Sequence, residues 1–335
     1  MNPEKLESLT PLCNVIFRSP MISVVIVNYN GKKFLDGCLS SLDRQTCRDF
    51  EVILVDNGSS DGSAAYVRER YPSVILVEAG KNLGFAGGTN AGIRVARGEF
   101  IFTLNNDTIA DPHLLEEIVR PMQLDSHVGM CAAKMIFPDG RIASTGICIS
   151  RSGAAWNRGG GEEPDHGQFD VEKEVFGPCA GAALYRRSML DETGLFDEDF
   201  FLFMEDVDLA FRARLSGWTC MYVPMARVVH IHGGTALPES DIAVYYGNRN
   251  LMWYVVKNFP KSMLIEYLPW IMGRNIGVIP YYLLKGRGLS IFRAEIDMLK
   301  GLGDMMRKRR SVKKTVPDAA IEIWIQTWSR IPPDR

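Results

Sequence analysis

Short apolar runs alternate with helical spacing over about a hundred residues after Met21, and that rhythm limits what the chain can fold into. Residues 22–27 (ISVVIV), 50–56 (FEVILVD), 74–78 (VILVE) and 100–104 (FIFTL) are rich in Val, Ile and Phe. Such runs suit strands buried on both faces. Phe34, Leu35, Cys38, Leu39 and Leu42 follow the first run at helical spacing. Residues 63–71 and 89–98 predict the second and third helices, and Asp111 with Pro112 predicts an N-cap and first turn for a fourth. The alternation predicts a mostly parallel, doubly wound α/β sheet flanked by helices.

After residues 128–133 the rhythm changes. A hairpin is expected around Pro138, Asp139 and Gly140, and a Gly-rich loop over 151–170. A strand within FGPCAGAALYRR, a helix over 205–218 and an extended stretch through HIHGG follow. From residue 240 the chain reads as mostly helical. A net charge of -2 gives no electrostatic case for nucleic acid, although residues 305–314 (MMRKRRSVKK) are strongly basic. The seven cysteines form no C-x-x-C pair and read as reduced thiols of a cytoplasmic protein. Residues 1–20 carry no long apolar core, so no signal peptide is expected.

In an open parallel sheet, ligands bind beyond the carboxyl ends of the strands. Here those ends read Asn28-Tyr29-Asn30-Gly31, Asp56-Asn57-Gly58-Ser59, KNLGFAGGTN with Asn82, Gly84 and Asn90, and Asn105-Asn106-Asp107. A single polar strand end is an ordinary turn. Several on one edge point to one crevice. It lacks the G-x-G-x-x-G dinucleotide spacing and a P-loop. Asp56 can still accept hydrogen bonds from a base or ribose, and the glycines at 84, 87 and 88 can admit a phosphate to backbone N–H groups. Asp107 is either a turn cap or a carboxylate for Mg²⁺ or Mn²⁺, hard cations that bridge substrate phosphates.

Two later segments bear on this choice. FFLFMEDVDLAFR sets Glu205 and Asp206 at a helix start behind an aromatic run. Acids there are favourable in themselves, by roughly 0.3–1 kcal/mol. Apolar walls can also raise a carboxylate towards the range of a general base. Asp208 and Arg212 are spaced to pair. His230 and His232 share one face of an extended stretch, and one of them is a candidate metal ligand.

Together, SVVIVNYNG, VDNGSSDGS, NLGFAGGTNAG, LNNDT, GAALYRRSMLDETGLFDEDFFLFMEDVDLAFRARLSGW and HIHGGT resemble, in order, family 2 glycosyltransferases of the GT-A fold, especially the rhamnosyltransferase-like branch. The resemblance spans about Ile22 to Asn258. It implies an inverting, metal-dependent transfer from a nucleotide-sugar donor to a glycan or lipid-linked acceptor in cell-surface polysaccharide synthesis. Asp56 would bind the nucleoside, with Asn28, Asn30, Asn82, Gly84, Asn90, Asn105, Asn106 and Arg249 around the donor and Asn250 nearby. Asp107 would bind metal, although the D-x-D-type motif here reads Asn-Asn-Asp. Asp206, paired with Glu205, would be the base, and counting back from Thr235 favours His230 over His232. The competing readings are a sugar-phosphate nucleotidyltransferase, which should carry a basic Gly-rich loop after the first strand, and a non-catalytic relative, which should lack Asp107 and Asp206.

The expected division is an N-terminal extension (1–20), a GT-A catalytic domain (21–258) and a helical C-terminal region (259–335). Residues 263–284 are long and apolar but contain Glu266, Arg274, Asn275 and two prolines. That pattern disfavours a spanning helix. It leaves either interfacial helices on an anionic membrane surface, making the protein peripheral on the cytoplasmic face, or a helical subdomain on the catalytic core.

Overall fold

The computed structural model describes residues 20–161, 164–231 and 240–327. The N-terminal half alternates as expected: β1 (Ile22–Asn28), α1 (Lys32–Asp43), β2 (Phe50–Asp56), α2 (Ser63–Arg70), β3 (Ile75–Glu78), α3 (Gly84–Val95) and β4 (Phe100–Asn105). β5 (Thr108–Ala110), α4 (Leu114–Leu124), β6 (Val128–Ile136) and β7 (Ile142–Ser144) follow. Next come β8 (Ile147–Ser150), β9 (Ala155–Asn157), β10 (Lys173–Glu174), β11 (Ala182–Arg186), α5 (Arg187–Thr193), α6 (Glu205–Leu215) and β12 (Thr219–His230). The chain continues through α7 (Asp241–Asn258), α8 (Lys261–Glu266), α9 (Leu268–Leu284), α10 (Gly288–Arg309), α11 (Ala319–Glu322) and β13 (Ile325–Gln326).

The main sheet runs β10-β12-β6-β11-β4-β1-β2-β3. β3, β2, β1 and β4 are mutually parallel, as are β12 and β6, and β11 is antiparallel between β4 and β6. β7 pairs antiparallel with β6, which makes the expected hairpin. Alternation along β1 and β2 feeds two cores. Ile22, Val24, Ile26 and Leu54 join α1 and α4, whereas Val25, Ile53 and Val55 face α3. The second core continues through α6 and α7 into Met263, Met298, Met305 and Ile321 of the C-terminal helices.

Three boundaries differ from the expectation. The third helix begins at Gly84, not Thr89, because its glycines fit it closely against the sheet. A Cβ at Gly88 would lie 2.8 Å from Val27 Cγ1. The fourth helix begins at Leu114, because Asp111 Oδ1 accepts the His113 N–H in a local turn instead of capping the helix. Within the expected loop over 151–170, residues 155–157 form β9, paired to β8.

Candidate active site

β1, β2 and β4 end side by side, with Asn28 opposite Asp56 and Val27 opposite Asn105. Asn106 Nδ2 donates to Asn28 Oδ1 at 2.7 Å. Asn28 Nδ2 in turn donates to Ser59 Oγ at 3.3 Å and reaches Asp56 Oδ1 at 3.5 Å. The Ser59 N–H donates to Asp56 Oδ2 at 3.1 Å, and the Ser60 N–H to Asn30 Oδ1 at 2.8 Å. Gly31 is required by this closeness, since a Cβ there would lie 2.6 Å from Asn28 Oδ1. The fold thus gathers Asn28, Asn30, Asp56, Asn105 and Asn106 on one polar edge.

Antiparallel pairing of β5 with β12 sets Thr108 opposite His230. This brings the buried Asp107 carboxylate within 3.2 Å of His230 Nε2. Phe137 stacks on the imidazole with centroids 6.1 Å apart, and the Ile231 N–H donates to the Asp107 carbonyl at 2.9 Å. One carboxylate and one imidazole fit a Mg²⁺ or Mn²⁺ that draws its other ligands from substrate phosphates and water. No cluster of three or more His, Cys, Asp or Glu occurs among the described residues. His232 lies outside them.

Asp206 is reached from the same edge. A cavity of ≈ 300 Å³ is lined by Asn105, Trp156, Ala180, Phe203, Glu205 and Asp206, among others. At the N-terminus of α6, Asp206 accepts the Ala180 N–H at 3.2 Å and the Val207 N–H at 2.8 Å. Burial nevertheless pushes its pKa up. Burial, and then the charge of Asp206, push the buried Glu205 well above the usual carboxylate range. Glu205 Oε2 meets no hydrogen-bond partner among the described residues.

Several residues expected around a donor also make contacts that hold the fold. Asn90 Nδ2 donates to the Phe196 carbonyl at 2.8 Å and to Glu198 Oε1 at 2.9 Å, and its Oδ1 accepts the Phe196 N–H. Asn82 Oδ1 accepts the Gly84 N–H at 2.9 Å, turning the chain into α3. Gly84, at φ 73°, lies against the Phe201 carbonyl, which takes the N–H groups of Phe85 and Ala86. Arg249 stacks on Trp253 at 4.1 Å and donates to the carbonyls of Asp199 and Phe200. Asn250 Nδ2 donates to the carbonyls of Phe200, Leu202 and Phe203. The loop before Glu205 needs such support because Phe201, Phe203 and Met204 all have positive φ, between 64° and 69°. Trp156 and Ala180 carried no motif that would have placed them in the cavity.

Residues 23–194 match the profile of glycosyl transferase family 2. The chain belongs to that family. An N-acetylglucosaminyl-diphospho-decaprenol L-rhamnosyltransferase of Mycobacterium tuberculosis is 29% identical over 250 residues, covering 68% of this chain and 81% of the relative. The O-antigen biosynthesis protein RfbC of Myxococcus xanthus is 25% identical over 241 residues, covering 68% of this chain and 19% of that protein. The fold is the GT-A fold of the mannosyltransferase PcManGT from Pyrobaculum calidifontis, solved with GDP-Man and Mn²⁺, at TM-score 0.53 and 17% identity over 84% of this chain and 88% of that one.

Proposed function

We propose that this family 2 member is an inverting glycosyltransferase that moves a sugar from a nucleotide-sugar donor, dTDP-rhamnose in the first instance, to a hydroxyl of a glycan or diphosphate-lipid acceptor in cell-surface polysaccharide synthesis. The observation that carries the reading is the Asp206 carboxylate, raised by burial, in a cavity that shares Asn105 with the polar strand edge. Asp56, with Asn28, Asn30 and Asn106, binds the nucleoside side of the donor. Asp107 and His230 hold the divalent cation, which when bound neutralises charge on the leaving diphosphate. Asp206 takes the proton of the acceptor hydroxyl as that oxygen attacks the anomeric carbon. Burial raises the Glu205 carboxyl, and this reading gives it no nucleophilic role, so a single displacement assisted by Asp206 inverts the anomeric centre. The rhamnosyl donor and the diphosphate-linked acceptor are argued from the mycobacterial relative.

Residues 21–258 act as the catalytic unit in this reading, and the helices beyond them bring the protein to the cytoplasmic face of an anionic membrane. No helix among the described residues is long and apolar enough to span one. Most of the exposed large apolar side chains of the described residues nevertheless lie between Ile265 and Met306, among them Ile276, Leu284, Leu289 and Phe292. Exposed apolar side chains concentrated in this way favour a contact surface, and Lys285, Arg287 and Arg293 lie in the same stretch of sequence. The function is tested by screening nucleotide sugars for donor hydrolysis and for transfer to diphosphate-linked acceptors. Turnover of one donor supports it, and turnover of none overturns it.

A further inference from the structure

Ile291, Ala294, Met298, Gly301, Met305 and Lys308 recur in alternating steps of three and four along α10, so they share one face of that helix. The face packs inward. Its isoleucine, alanine and methionines are buried, and Gly301 leaves no room for a Cβ against the Trp253 indole of α7. Lys308 ends the stripe, and its Nζ donates to Asp199 Oδ2 at 2.7 Å and to Asp197 Oδ1. Its neighbour Arg307 pairs with Asp304 of the same helix and leaves 75% of its side chain exposed, against 35% for Lys308. The basic run over residues 305–314 is therefore not one surface, because Lys308 is engaged inside the fold.

Its two partners shape the short 3₁₀ turn Glu198–Phe200. Asp197 caps that turn, with Oδ1 accepting the Asp199 N–H at 3.2 Å. Lys257 of α7 donates to Asp197 Oδ2 at 2.7 Å and to the Asp208 carboxylate at 2.9 Å. Asp197 thus sits between a lysine of α7 and a lysine of α10. Burial would raise its carboxyl, but the charge of Lys257 and the hydrogen bonds from both lysines hold it below the ordinary aspartate value. From this turn the chain runs through Leu202, Phe203 and Met204, which line the Asp206 cavity, directly into α6. Phe201, Phe203 and Met204 have positive φ, so the segment keeps its course only while it is held from outside. We propose that Lys308 is a positioning residue for glycosyl transfer, clamping Asp197 and Asp199 and so fixing the wall beside Asp206. The inference rests on the proposed transfer and extends the catalytic unit beyond Asn258 into α10.

The test compares the full-length wild type with Lys308→Met and Lys308→Arg. The donor is dTDP-rhamnose, and the acceptor is an N-acetylglucosaminyl diphosphate bearing a short isoprenyl chain. Lys308→Met keeps most of the stem and removes the charge. It should lower kcat roughly tenfold and leave KM for the donor unchanged. Lys308→Arg, which can still bridge both carboxylates, should recover most of the loss, and Arg307→Met should keep the wild-type kcat. Hydrogen exchange reads the clamp without turnover. The Phe200 and Phe201 N–H groups donate to the carbonyls of Asp197 and Glu198. In Lys308→Met they should exchange roughly tenfold faster, while the amides of β1 keep their wild-type rates. Wild-type kcat or wild-type exchange in Lys308→Met overturns the inference, as does a loss that Lys308→Arg fails to recover. No transfer by the wild type, with faster exchange in Lys308→Met, overturns the transfer reading and reduces Lys308 to a structural clamp.

Discussion

Asp206 and Asp208 stand two residues apart on α6, yet their surroundings drive them in opposite directions. Burial raises Asp206, and the backbone N–H groups of Ala180 and Val207 offset this only in part. Burial would raise Asp208 as well, but the charges of Lys257 and Arg212 outweigh it and hold the carboxyl at about 2. A base must be ionised to work, so the raised Asp206 predicts that kcat for transfer falls, as pH drops, above the ordinary aspartate value of 3.8. A pH–rate profile with no acid limb above that value would count against the assignment. Asp208 carries the opposite sign. Its folded value is depressed, so its stabilisation is present above pH 3.8 and is lost between 3.8 and about 2. The size is about 2 kcal/mol by linkage. Asp208→Asn leaves Lys257 and Arg212 buried without this partner and should cost about 3 kcal/mol in urea unfolding at neutral pH. At the strand edge, His230→Ala and Asp107→Ala should each weaken Mn²⁺-dependent binding of a nucleoside diphosphate. Calorimetry with and without the ion checks this, and equal metal dependence in wild type and variants would remove the site.

The segment between the short 3₁₀ turn Glu198–Phe200 and α6 is the element that aims Asp206. Its positive-φ residues would relax if its carbonyls were released. Asn250→Ala removes the donor to three of those carbonyls, from α7 and nearly fifty residues away in sequence. As a positioning residue it should lower kcat for transfer by up to about 10²-fold while leaving nucleoside diphosphate affinity unchanged. A loss confined to affinity would instead place Asn250 at the donor. Such long-range support explains what could be read in advance. β1, β2 and β4 were legible because buried parallel strands must be apolar and β-branched throughout. The strand-end amides and Asp107 were legible because that topology directs ligands there. The start of α3 was hidden because glycine disfavours helix locally, whereas here it lets the helix approach Val25 and Val27. Asn90 and Arg249 stood in the right motifs, but their hydrogen bonds run to loops that no local pattern predicts.

At the scale of the molecule, the sheet separates the two cores, and the C-terminal helices continue the one that includes α6 and α7. Cutting the chain near Asn258 would therefore open that core, so the proposed membrane contact is better tested on the full chain. Leu284→Glu with Phe292→Glu should abolish co-sedimentation with vesicles containing phosphatidylserine, because both side chains are exposed on α9 and α10. Equal sedimentation of wild type and variant would show that this face is not the contact. The central claim is that Asp206 activates the acceptor. The direct measurement compares Asp206→Asn with wild type for donor binding and for transfer under the same conditions. The account predicts unchanged nucleoside diphosphate affinity and transfer slowed about 10²–10⁴-fold, the usual loss for a general base. Transfer at near wild-type rate would contradict it.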